Sequence, residues 1–129
     1  MLEVLPIQDK AQQEVYCLRC NIKYDPDLMA YAAYDNGELI GVCQFTIKQD
    51  GGKIVDLAST IGRNDPHTLF VMGRATLNFI DLCGIHHVTF SSDNADESLI
   101  KSIGFKKNNN GIFEIDLKGF FDQPCKHCK

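Results

Sequence analysis

Between Lys53 and Lys107 the chain reads as strand, loop, long helix, strand and short helix, ending in Ser102-Ile103-Gly104-Phe105-Lys106-Lys107. This alternation most limits what the chain can fold into. A strand followed by an amphipathic helix and a second strand predicts a layered α/β domain with some parallel pairing. The helix spans about Pro66 to Cys83. Leu69, Met72, Thr76, Phe79 and Cys83 recur at three and four residues, while Arg74, Asn78 and Asp81 mark the wet side. Gly84 follows as the residue that ends it.

The flanking segments predict antiparallel neighbours. Glu3 to Ile7 is a first strand. Asp9 and Gln12 have capping-box spacing, and Ile7, Ala11, Val15 and Leu18 follow a helical period, so a helix is expected over residues 10–20, stopped at Asn21. Asp25-Pro26-Asp27 is a turn or short helix. Strands over Leu28–Tyr34 and Leu39–Ile47 flank Asp35-Asn36-Gly37-Glu38, and Asn-Gly between β-rich runs is a strong hairpin signal because both residues accept positive φ. A second turn at Gln49-Asp50-Gly51-Gly52 leads into the strand Lys53–Ser59. After the long helix come a strand at His87–Ser91, a short helix at Asn94–Ser102, and a hairpin of Phe105–Lys107 with Gly111–Leu117. The expectation is one domain over residues 1–119 with a mainly antiparallel, partly parallel sheet, followed by a cysteine-containing tail over residues 120–129.

The remaining composition narrows the function. A net charge of −4 gives no basic surface for nucleic acid or an anionic membrane. No stretch approaches the ~20 apolar residues of a membrane span, and Met1–Pro6 lacks the basic start of a signal peptide. A cytoplasmic location is the expectation. The six cysteines then read as thiols or metal ligands before disulfides. Cys43 and Cys83 fall in apolar patterns and read as core residues. Cys17-Leu18-Arg19-Cys20 and Cys125-Lys126-His127-Cys128 each have the spacing of a zinc knuckle, and together Cys17, Cys20, Cys125 and Cys128 would make a tetrahedral zinc site if the tail returned to the end of the first helix. Incidental burial of the first pair is the other main reading. A redox pair is a third, weakened because Cys17 and Cys20 lie near a helix C-terminus, where the dipole raises a thiol pKa.

The element order, the hairpin Tyr31-Ala32-Ala33-Tyr34-Asp35-Asn36-Gly37-Glu38-Leu39-Ile40-Gly41-Val42 and the ending Leu99-Ile100-Lys101-Ser102-Ile103-Gly104-Phe105 resemble the GNAT superfamily of N-acetyltransferases. The resemblance covers nearly the whole chain. It implies an acyl-CoA N-acyltransferase fold, a mixed central sheet with flanking helices, binding acetyl-CoA and a small amine. It puts Leu57, Ala58 and Ser59 on the splayed strand whose backbone groups bond the pantetheine arm. By the same resemblance Asp56 is the candidate general base; its other reading is a solvent-facing strand residue. Asn94 is either a cofactor-facing residue or the cap of the short helix.

The chain departs from the family pattern in two places. The glycine-rich phosphate loop falls on Asn64-Asp65-Pro66-His67-Thr68-Leu69, which contains no glycine. Asp65 is a natural N-cap and Pro66 deletes an amide, so a self-capped helix start competes with a phosphate cradle. In the cradle reading Arg63, Asn64, His67 and Thr68 contact the cofactor, with Arg63, His67 and Arg74 as replacement cations. Second, Ile100 stands where many members have a tyrosine that protonates the leaving thiolate. Two functions follow: an acetyltransferase acting on a small amine, or a GNAT-fold module without turnover that binds, senses or holds zinc. Oligomeric state is left open.

Overall fold

The computed structural model describes residues 1–91 and 96–121. In chain order the elements are β1 (Leu2–Pro6), α1 (Lys10–Arg19), β2 (Met29–Asp35), β3 (Glu38–Lys48), β4 (Gly51–Ser59), α2 (Pro66–Leu82), β5 (His87–Phe90), α3 (Glu97–Ile103), β6 (Lys106–Lys107) and β7 (Phe113–Asp116). The strands form one 7-stranded sheet ordered β1-β2-β3-β4-β5-β7-β6. Its described pairings are antiparallel except β4 with β5, the pair joined by the α2 crossover.

Local chemistry accounts for the element ends. Asn36 and Gly37 turn the β2–β3 hairpin with φ of 52° and 85°, the positive pair a tight two-residue connection needs. Asp9 caps α1 by accepting from the Ala11 amide, and Asn21 takes a positive φ just beyond the helix. Asp96, and not Asn94, caps α3, which therefore starts at Glu97; Asn94 lies outside the described residues.

Helix α2 crosses one face of the sheet and builds the main core. Met72, Leu77 and Ile80 pack with Ile40, Cys43, Phe45, Ile54, Leu57, Val88 and Ile103. The buried stripe is Thr68, Met72, Gly73, Thr76, Leu77 and Ile80, turned from the expected one; Cys83 ends up exposed at the C-cap, a correction to its reading as a core residue. Helix α1 covers the other face over β2 and β3. There too the helix is rotated: it buries Gln13 and Cys17, while Val15 and Leu18 face outward. The apolar period alone would have chosen the opposite face. Burial of Gln13 is offset because its amide reaches polar partners beneath the helix.

Two bulges decide which residue faces which layer. In β3, Ile40 is the extra residue between the Ala33–Gly41 and Tyr34–Leu39 pairs. In β4, Val55 is extra between the Gln44–Asp56 and Phe45–Ile54 pairs. Side chains alternate along a strand, so one inserted residue inverts the faces beyond it. Ile54 therefore points into the α2 core, Asp56 turns to the α1 side beside Gln44, and Leu57 returns to the α2 core.

Candidate functional site

The parallel pairing of β4 with β5 is brief. Gly52, Lys53 and Ile54 pair with Val88, Thr89 and Phe90, and the Ser91 amide donates to the Ile54 carbonyl (2.9 Å). Beyond that point, among the described residues, β4 continues to Ser59 alongside β3 only, and β5 is no longer its neighbour. The Thr60 amide bonds the Ile40 carbonyl of β3 (3.0 Å). By antiparallel alternation Asp56 and Ala58 bond toward β3, whereas the backbone groups of Leu57 and Ser59 face the gap. An unmatched strand edge beside a splay is a docking rail for an extended amide-bearing chain.

A pocket of about 340 Å³ opens onto this edge. Its lining joins Leu57, Ala58 and Ser59 to Arg63 and Asn64 of the following loop, Pro66 and Leu69 of α2, and Asp96 and Leu99 at α3. Five of the residues expected at the cofactor thus meet in one place. The Ser59 hydroxyl oxygen is buried and has no hydrogen-bond partner among the described residues. Such a group usually costs about 1–3 kcal/mol, so it marks a place where a ligand can supply the missing bond.

The rim near α2 has different chemistry. Asp65 Oδ1 accepts from the Thr68 amide (3.1 Å) and Oδ2 from the Thr68 hydroxyl (2.7 Å), and Arg63 Nη1 lies 3.6 Å from that same Oδ2. The Thr68 hydroxyl, then its amide, hold the Asp65 carboxyl below the usual carboxylate range. Thr68 is buried in this cap, and His67 is exposed outside the pocket lining. Arg74 is turned elsewhere: its Nε donates to the Ile103 carbonyl (2.6 Å), and its guanidinium lies over the rings of Phe70 and Phe120. Arg63 and His67 thus stay beside Asp65 at the helix start, where both help to lower its carboxyl, and Arg74 does not join them. Ile100 is buried in the main core and has no proton to give.

Across the sheet from this pocket, Asp56 sits in a polar network that sequence reasoning missed. The Gln44 amide nitrogen donates to Asp56 Oδ2 (2.8 Å) and to the Lys23 carbonyl (2.9 Å). Gln44 Oε1 accepts from Gln13 Nε2 (2.9 Å) and the Asp25 amide (3.3 Å). Gln13 also donates to the Leu28 carbonyl (3.3 Å), which Lys10 reaches from the helix start. Both glutamines are 0% exposed. Burial pushes the Asp56 carboxyl above its ordinary range, and the Gln44 amide pulls it partly back. The only sequence signal was a polar residue on an otherwise apolar strand, Leu39–Phe45.

Cys17 and Cys20 are core side chains between α1 and the sheet, packed with Ala30, Ala32, Leu39 and Val42. Burial pushes their thiols up to about 12 and about 11. Cys125 and Cys128 lie outside the described residues, and among the described residues no three His, Cys, Asp or Glu side chains gather as a metal site. Nor, among the described residues, is any helix long and apolar enough to cross a membrane.

No family model matches the sequence, and no curated protein matches it. The architecture does find partners. An acetyltransferase from Bacillus subtilis, solved in complex with CoA, aligns with a TM-score of 0.72 at 15% identity, covering 91% of this chain and 99% of that one. The ribosomal-protein-S18-alanine N-acetyltransferase from Escherichia coli aligns with a TM-score of 0.70 at 11% identity, covering 91% and 94%. The chain has the GNAT acyl-CoA N-acyltransferase fold. A GNAT-family acetyltransferase from Brucella melitensis, solved with acetyl-CoA, adds a TM-score of 0.68 at 11% identity over 90% and 88%. The resemblance seen in the hairpin and in the Gly104-Phe105 ending is thus matched by the whole GNAT architecture. Identities this low carry the fold; activity has to be argued from the site.

Proposed function

We propose that this GNAT-fold chain transfers an acyl group from a thioester donor of the acyl-CoA type to an amine. The observation that carries the reading is the β4 edge at Leu57–Ser59, which no described strand pairs, opening on a pocket where the Ser59 hydroxyl has no partner among the described residues. In the proposed reaction the donor arm lies along that edge and pairs with its backbone groups. Asp56, on the opposite face of the same strand, takes the proton of the attacking ammonium; its raised pKa suits a base that must hold that proton. The amine nitrogen then attacks the thioester carbonyl carbon. The Ser59 backbone amide, which faces the gap, stabilises the oxyanion, and the C–S bond breaks as the amide bond forms. The nitrogen gives up its second proton to solvent as the tetrahedral intermediate collapses, and the departing thiolate takes one from solvent. With a thiol pKa of about 8.5 it leaves without an acid at Ile100.

Isothermal titration with acetyl-CoA and CoA tests the donor half, and thiol release across a panel of small amines tests transfer. No heat at millimolar cofactor would sink the reading. A second reading is a binding module that keeps the pocket without turnover. The self-capped start of α2 favours it, and donor binding without thiol release for any amine would select it.

A further inference from the structure

We infer that this pocket recognises the pantetheine arm of its donor and gains nothing from the nucleotide phosphates. The inference rests on the acyltransferase reading above and narrows its donor. The pocket has two unlike walls. One is neutral: the Leu57 and Ser59 backbone groups, the Ser59 hydroxyl, and the side chains of Leu57, Leu69 and Leu99. A pantetheine arm carries two amides along an extended chain, which suits a strand edge offering alternate donors and acceptors among apolar side chains.

The other wall holds the starts of α2 and α3, and both are already occupied by carboxylates. Asp65 takes the Thr68 amide and hydroxyl; Asp96 takes the Ser98 amide (3.1 Å) and hydroxyl (2.9 Å). Pro66 has no amide proton, and the Leu69 amide is bound to the Asp65 carbonyl (3.2 Å). Among the described residues of the lining the one cation, Arg63, is paired with Asp65, and His67 lies exposed beside that pair outside the lining. A pyrophosphate at this rim meets two fixed negative charges and a partly neutralised arginine, where an open helix start would instead have offered free amides. The arm is therefore the portion of the donor that this site is built to hold.

The test compares S-acetyl-pantetheine, its 4′-phosphate and acetyl-CoA by titration calorimetry on the full chain, each at low and moderate salt. Dissociation constants within about threefold of one another support the inference, because then the phosphates contribute little. Acetyl-CoA binding about tenfold or more tighter than S-acetyl-pantetheine, with the advantage shrinking as salt screens it, overturns the inference and leaves the acyltransferase reading intact. Binding of none of the three at millimolar concentration overturns both. Asp65→Asn removes the charge but keeps a capping side chain. Acetyl-CoA should then tighten about threefold or more while S-acetyl-pantetheine stays unchanged. A folded Asp65→Asn protein with unaltered acetyl-CoA affinity refutes the role given to Asp65.

Discussion

Replacing Gln44 by Met tests the polar network and its link to chemistry. The substitution nearly conserves volume, so packing loss is small and the polar terms dominate. Gln44 is 0% exposed and bridges Asp56 Oδ2, the Lys23 carbonyl, Gln13 Nε2 and the Asp25 amide. After substitution Gln13 falls back on the Leu28 carbonyl at 3.3 Å. The half-buried Asp56 carboxylate regains some water. The Lys23 carbonyl and Asp25 amide lose their Gln44 partner outright. At about 1 kcal/mol net for each lost bond and about 1–3 kcal/mol for a stranded buried group, the expected loss is about 2–4 kcal/mol. For a domain of this size about 4 °C accompanies each kcal/mol, so Tm should fall by roughly 8–16 °C. Thermal and urea unfolding followed by circular dichroism would measure it. A second signature separates positioning from mere stability. The Gln44 amide lowers the Asp56 pKa, so its removal should move the acidic limb of the pH–rate profile upward. Gln44→Glu should instead lose stability as pH rises and the two carboxylates come to compete for one proton. A Gln44→Met protein less than about 1 kcal/mol weaker would refute the assignment of this network as a structural support of Asp56.

Other outcomes follow from named contacts. Burial raises the folded-state pKa of Asp56 above its ordinary 3.8, so its contribution to stability is present below that value and lost as pH rises through the folded pKa. Asp56→Asn should therefore melt higher than the parent at neutral pH, match it at acid pH, and lose transfer activity; a lower Tm at pH 7 would contradict this. Asp65 has the opposite sign: its lowered pKa contributes stability above 3.8 that is lost as pH falls. Asp65→Ala should cost about 1 kcal/mol at neutral pH and less in acid, measured by urea midpoints. At Gly104, φ is 131° and an added Cβ would sit 2.9 Å from Ile115 Cδ1, so Gly104→Ala should destabilise by about 2–4 kcal/mol in denaturant titration. Val15→Ser and Leu18→Ser should change stability by less than about 0.5 kcal/mol, because both side chains face outward, whereas Cys17→Ser places a hydroxyl in the apolar packing and should cost more.

What was legible in the chain was local. The Asn36-Gly37 turn, the Asp9 and Asp65 caps and the Gly84 stop act through the backbone within a few residues, and each recurs at its expected position. The faces of the helices were less legible. In α1, Val15 and Leu18 set the apolar period, yet the sheet beneath offered Gln44 and the Leu28 carbonyl, so Gln13 was drawn inward with Cys17. Tertiary hydrogen bonding outweighed the apolar stripe.

The sequence alone was enough for the order of elements, the partly parallel sheet and the Asp65-capped, Pro66-led start of α2, because propensity, turn chemistry and capping are short-range. Three further features depend on groups far apart in the chain: the Val55 bulge that sends Asp56 to the α1 side, the splay that frees Leu57 and Ser59, and the buried bonds joining Gln13, Gln44 and Asp56. Strand register and the exclusion of water bring those groups together, and only the folded sheet sets either one.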